Sequence, residues 1–204
     1  MDEIIREPKQ KRAIEKKEKI IEAGFNLICK NGYYNTNTAQ IAKEANVSTG
    51  IIYQYFKDKH DIFLNGLEKY GNDIFFPILK VKNKKIDVKN FNKMMKNMIN
   101  EYIKNHKLSK TAHEEITAMM HSDKDVAKYF YNKELETTKS IKNLLIENKF
   151  IDNNLNEKVH IMIGMIDNLC HEVIYHKHKD MNYDIMTDIV INNIKELFKN
   201  DISI

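Results

Sequence analysis

Two helix-capping residues, Asn37 and Ser48, with a short stretch between them, constrain this chain more than any other feature. Gln40 follows Asn37 by three positions, the capping-box spacing in which each residue satisfies an orphan N–H at the other's end. Ile41, Ala42 and Ala45 then form one apolar side, and the two alanines let another helix approach closely. Asn46 ends that helix, because Asn tolerates the left-handed backbone that a helix stop requires. Val47 plugs the corner and Ser48 caps a second helix, in which Ile52 and Phe56 are four apart and face inward. Two short capped helices joined this tightly predict a helix-turn-helix, a unit that can enter the major groove of DNA with its second helix.

The outward face of that second helix carries Thr49, Gly50, Tyr53 and Gln54. A glycine inside a helix costs about 1 kcal/mol relative to alanine. It makes sense where the backbone must come close to a phosphate or a base edge. Gln54 and Thr49 are expected to read bases, with Ile51 against a thymine methyl. Thr36, Asn37, Ser48, Tyr53, Tyr55 and Lys59 are expected to hold phosphates, and Thr38 and Gln40 complete the DNA-facing set. An ordinary helical hairpin would explain the isoleucines but not this exposed polar face followed by lysine.

Six glycines and two prolines in 204 residues leave little material for hairpin turns. A net charge of +4 permits DNA binding without proving it. Cys29 and Cys170 have no CxxC partner, so neither a disulfide framework nor a zinc site is expected. No apolar run approaches a membrane span and the first residues lack a secretory pattern, so a cytoplasmic chain without cofactor or metal is expected.

Helical periodicity predicts a first helix over 12–30, ended by Asn31-Gly32 in a left-handed cap, and a helix over 58–76 with Ile62, Phe63, Leu67, Tyr70 and Ile74 as its apolar stripe. Residues 1–11 read as a loose polar arm, Pro77 as a break and 80–89 as a solvated linker. Further helices are expected over 91–106, 109–121, 124–148, 155–178 and 183–199, and no segment reads as a strand. The fold class is therefore all-α, with an N-terminal arm and helix-turn-helix domain over 1–57 and a second helical domain over 58–204.

The run from Gly24 to Phe63 resembles the N-terminal domain of TetR-family transcriptional regulators. The matching residues are Asn31-Gly32-Tyr33, Thr36, Ile41-Ala42, Ala45-Asn46-Val47-Ser48, Gly50, Tyr53, Tyr55-Phe56, Lys59 and Ile62-Phe63, in the family's order and spacing. Asn46 stands where the family usually has Gly, and Thr49-Gly50-Ile51 lacks the basic or small polar neighbours common there. The resemblance implies a homodimeric regulator, most simply a repressor released from a palindromic operator by a small molecule.

In the second domain, methionines and tyrosines fit either a gap-filled bundle core or a ligand cavity. The resemblance implies the cavity. Its expected lining is Leu67, Tyr70, Met94, Met98, Tyr102, His113, Ile116, Met120, Tyr129, Met162 and Ile166, suiting a partly apolar effector. The last two helices have apolar faces broader than one surface helix needs, which predicts a partner copy. Ile161, Met165, Asn168, Glu172, Tyr175, Ile189, Ile194 and Leu197 are the expected dimer interface. Three rival readings stand beside this one: an enzyme, an architectural DNA-binding protein, and an interaction scaffold that has lost DNA binding and would show a negatively charged recognition face. An enzyme lacks support, since no nucleophile elbow, phosphate loop or HExxH is found. An architectural DNA-binding protein would have no effector cavity.

Overall fold

The computed structural model describes residues 10–75, 86, 89–105 and 108–201, with the side chains of 72–75 and 105 outside that description. The described elements are helices: α1 Lys11–Asn31, α2 Thr38–Glu44, α3 Thr49–Tyr55, α4 Lys59–Phe75, α5 Phe91–Asn105, α6 Lys110–Ser122, α7 Lys124–Glu147, α8 Leu155–Tyr175 and α9 Tyr183–Leu197. No strand is found among the described residues. The expected arm over 1–9, the break at Pro77 and most of the linker lie outside them.

The chain forms two compact units, one of residues 1–75 and 107–132, the other of 76–106 and 133–204. These units are drawn by packing, whereas the division expected at residue 57 was one of function and stays a proposal. In the first unit, α1 contributes Ile20, Ile21 and Ala23 to a core with Ile41, Ala42, Ala45, Ile52, Tyr55, Phe56 and Ile62. Each fully buried Ile or Phe there contributes roughly 1.5–3 kcal/mol. Helices α1 and α4 pack closely because each offers a glycine: a Cβ on Gly24 would stand 2.6 Å from Ile62, and one on Gly66 2.6 Å from Phe25.

The second unit is a bundle of α5, α8, α9 and the second half of α7. Met95, Ile99, Leu145, Leu155, Val159, Met162, Leu169, Ile191, Ile194 and Phe198 form its core. Its C-terminal end is pinned by Asp201, fully buried, which accepts a 2.5 Å bond from the Lys158 ammonium and a 2.6 Å bond from the Ile151 N–H to its carbonyl oxygen.

Candidate nucleic-acid interface

The capping box is formed. The Gln40 N–H donates to Asn37 Oδ1 at 2.9 Å, and the Asn37 N–H donates to Gln40 Oε1 at 2.8 Å. Asn46 has φ 54°, so asparagine supplies the positive dihedral of the turn. Ser48 sits at the N-cap of α3 but its hydroxyl makes no cap hydrogen bond. The expected cap is therefore met in position and not through a side-chain bond.

Above the buried Ile52 and Phe56, α3 exposes Thr49, Gly50, Tyr53 and Gln54, while Ile51 is half-buried. Thr38 and Tyr53 join the two helices of the unit through their hydroxyls, 3.3 Å apart. No protein atom comes nearer than 4.0 Å to where a Cβ on Gly50 would stand. The protein's own packing does not demand that glycine.

Three expected phosphate ligands turn inward. Thr36 is 1% exposed and its hydroxyl donates to the Gly32 carbonyl at 2.9 Å, locking the loop between α1 and α2. Tyr55 is 8% exposed, because its position three after Ile52 carries it onto the core side of α3. Lys59 donates to the carbonyls of Tyr33 at 2.6 Å and Thr36 at 2.7 Å, with its ammonium 4.0 Å from the Tyr33 ring centroid. Desolvation holds its pKa below the ordinary lysine value, against the opposing pull of Glu115. Its charge staples the loop instead of facing outward. Of the helix-start residues, Asn37, Gln40, Ser48, Thr49 and Gly50 are exposed and Thr38 is half-buried.

Gly32 has positive φ, 96°, but extended ψ, 159°, so the expected left-handed stop is replaced by a bend. Sequence reasoning missed Glu115 of α6. Its carboxylate accepts the Tyr34 N–H at 3.0 Å and fills the space beside Gly32 where a side chain would begin. No local signal marks it, since 81 residues separate the pair. Also missed was His60, whose Nε2 lies 2.9 Å from Asp123 Oδ2. With Asp125 these groups bring possible metal-ligand atoms within 4.8 Å of one another. Asp123 Oδ1, however, already accepts the N–H groups of Asp125 and Val126, so the cluster serves as the start of α7.

The expected effector residues fall in both units. Leu67, Tyr70, His113, Ile116, Met120 and Tyr129 belong to the first, where Leu67 and Ile116 are buried and Tyr129 donates to the Leu67 carbonyl at 2.8 Å. Met94, Met98, Tyr102, Met162 and Ile166 belong to the second and pack in or against its core. His113 approaches Thr117 Oγ1 at 3.5 Å, a satisfied histidine.

Of the expected dimer residues, Ile161 and Ile189 are more than half exposed, and Asn168 is exposed. Met165, Tyr175 and Glu172 are half-buried, and Glu172 accepts from the Tyr183 hydroxyl at 3.4 Å. Ile194 is fully buried in its own chain and Leu197 packs beside it, so these two are corrected to core residues. Ile185, four before Ile189 on α9, is 56% exposed.

A family model described as "Bacterial regulatory proteins, tetR family" matches residues 20–65. The chain is 48% identical over 64 residues to the HTH-type transcriptional regulator HbdR of Aromatoleum sp. (strain CIB), covering 29% of this chain and 28% of that one. It is 28% identical over 140 residues to the uncharacterized HTH-type transcriptional regulator YerO of Bacillus subtilis (strain 168), covering 65% of this chain and 46% of that one. The chain thus spans less than half the length of these curated relatives. A crystal structure of a TetR-family transcriptional regulator from Mesorhizobium loti has the same fold, with TM-score 0.71 and 15% identity, covering 92% of this chain and 98% of that one.

Proposed function

We propose that this chain, which matches the model of the tetR family of bacterial regulatory proteins over residues 20–65, is a homodimeric repressor, released from a palindromic operator by a small molecule. The observation that carries this reading is the outer face of α3. Thr49, Gly50, Tyr53 and Gln54 are exposed over a fully buried Ile52, with a glycine that the protein's own packing does not require. In the proposed complex the start of α3 enters the major groove, where Gln54 and Thr49 reach base edges. Asn37, Thr38, Ser48 and Tyr53, with the N–H groups at both helix starts, hold the flanking phosphates.

One short recognition helix reads few base pairs. A two-fold dimer doubles the contact and fixes the half-site spacing. The apolar side chains exposed on α8 and α9, Ile161, Ile185 and Ile189, support a partner copy there. The second unit is the effector-responsive part in this reading. An effector acts by favouring one spacing of the two recognition helices over another.

The test is fluorescence anisotropy of a labelled duplex carrying the intergenic DNA beside the gene, titrated with the full chain. Saturable binding that survives competitor DNA and protects an inverted repeat is expected. Binding that a random duplex matches at every salt concentration would refute sequence-specific repression.

A further inference from the structure

We propose that the first unit holds a divalent-metal site with His60, Asp123 and Asp125 as its ligands, and that the ion it selects is a zinc-like transition metal. The site stands apart from the effector reading and does not rest on it. His60 is the second residue of α4, Asp123 lies between α6 and α7, and Asp125 is the second residue of α7. All three belong to the same compact unit. His60 Nε2 lies 2.9 Å from Asp123 Oδ2, and with a carboxylate oxygen of Asp125 the candidate ligand atoms are all within 4.8 Å of one another. Zinc holds nitrogen and oxygen ligands at about 2.1 Å, so two ligands at right angles on one ion stand about 3 Å apart. The His60–Asp123 pair already has that spacing, and the exposed Asp125 side chain joins it by a small rotation.

The ring nitrogen is the second, independent sign. His60 Nε2 is sealed from water yet makes no hydrogen bond among the described residues, because Asp123 Oδ2 is near but off the direction of a ring N–H. A buried polar atom left this way is unfavourable, and in the tautomer protonated at Nδ1 its lone pair is free for an ion. Capping α7 uses only the other oxygen of Asp123, Oδ1, which accepts the Asp125 and Val126 N–H groups. The ligands sit on fixed elements. Asp58 Oδ1 accepts the Asp61 N–H at 2.9 Å and Asp61 Oδ2 accepts the Lys57 N–H at 3.1 Å, which sets the first turn of α4 and occupies the two acids nearest His60 in sequence. The Tyr33 ring meets the His60 ring edge to face, centroids 6.5 Å apart. Two carboxylates and a neutral imidazole leave a charge that a divalent cation balances, and the imidazole favours zinc over magnesium. An ion held there clasps the start of α4, just after the recognition helix, to the start of α7.

The experiment takes the full chain without a histidine tag, strips it with EDTA and titrates it by calorimetry with zinc chloride and with magnesium chloride. Zinc is expected to bind about tenfold or more tightly than magnesium and to raise the urea midpoint of the parent chain. His60→Ala and, separately, Asp125→Asn are each expected to weaken zinc about tenfold or more and to abolish the zinc-dependent rise of the midpoint. Asp125→Asn leaves the Asp123 cap in place, so it decides the matter should His60→Ala not fold. His171 and His176 stack at the end of α8, centroids 4.9 Å apart, and are the control: His176→Ala is expected to leave zinc affinity unchanged. No zinc binding, magnesium bound as tightly as zinc, or zinc affinity unchanged in either folded variant of the site would overturn the proposal. Loss of zinc in His176→Ala alone would place the metal at α8 and overturn it equally.

Discussion

The Glu115 carboxylate accepts the backbone N–H of Tyr34 at 3.0 Å, tying α6 to the loop that leads into the helix-turn-helix. The same carboxylate stands 2.7–2.9 Å from where a Cβ on Gly32 would be, and Gly32 has φ 96°. Gly32→Ala therefore meets backbone strain and a displaced acid together. It is expected to lower stability by about 2 kcal/mol, read as a lower urea midpoint. Glu115→Gln, which keeps the shape, should lower it by less. Equal midpoints for Gly32→Ala and the parent chain would contradict this account.

Lys59 distinguishes a structural role from a DNA contact. Its ammonium bridges the Tyr33 and Thr36 carbonyls. Lys59→Met leaves both without that donor and is expected to cost about 2 kcal/mol of stability. The salt dependence of duplex binding should not change. A salt slope reduced by about one charge would instead assign the ammonium to a phosphate.

Gly50→Ala separates folding from recognition. With nothing inside 4.0 Å, the new methyl fits the protein and should stabilise α3 by up to about 1 kcal/mol. Duplex affinity should fall, because the methyl occupies the surface offered to DNA. A variant that melts higher and binds DNA as before would show that α3 does not approach the groove there.

Ile189 is 53% exposed on α9. Ile189→Asp should leave the helical signal intact and shift the mass seen by light scattering from two copies towards one. A persistent dimer would place the interface elsewhere.

Asp123 sets an acid limit. Burial alone would raise its pKa, but the Val126 and Asp125 N–H groups and His60 outweigh that and hold it below the ordinary value. A folded pKa below the unfolded one means stability fully present above the unfolded value and lost as pH falls through the folded one. Asp123→Asn should remove that part of the acid dependence, seen by comparing urea midpoints at about pH 6 and about pH 3.

The chain's local chemistry fixed the helices and the turn unit. Asn37, Gln40 and Asn46 act within four residues of themselves, and the periodicity of Ile41, Ala42 and Ala45 or of Ile62, Phe63 and Leu67 names the buried side of each helix. These effects need no distant partner, so they are legible residue by residue, and the seven residues of α3 presented Thr49, Gly50, Tyr53 and Gln54 as expected. What a polar side chain does once several helices surround it was settled only by tertiary packing. Thr36, Tyr55 and Lys59 look like DNA ligands by type and position, yet buried carbonyls and core space claim them. Glu115 meets Tyr34 across a long stretch of sequence, and Ile194 is core while Ile185 is surface. Spacing along a helix sets which side a residue takes, but only the neighbouring helices decide whether that side meets protein or water.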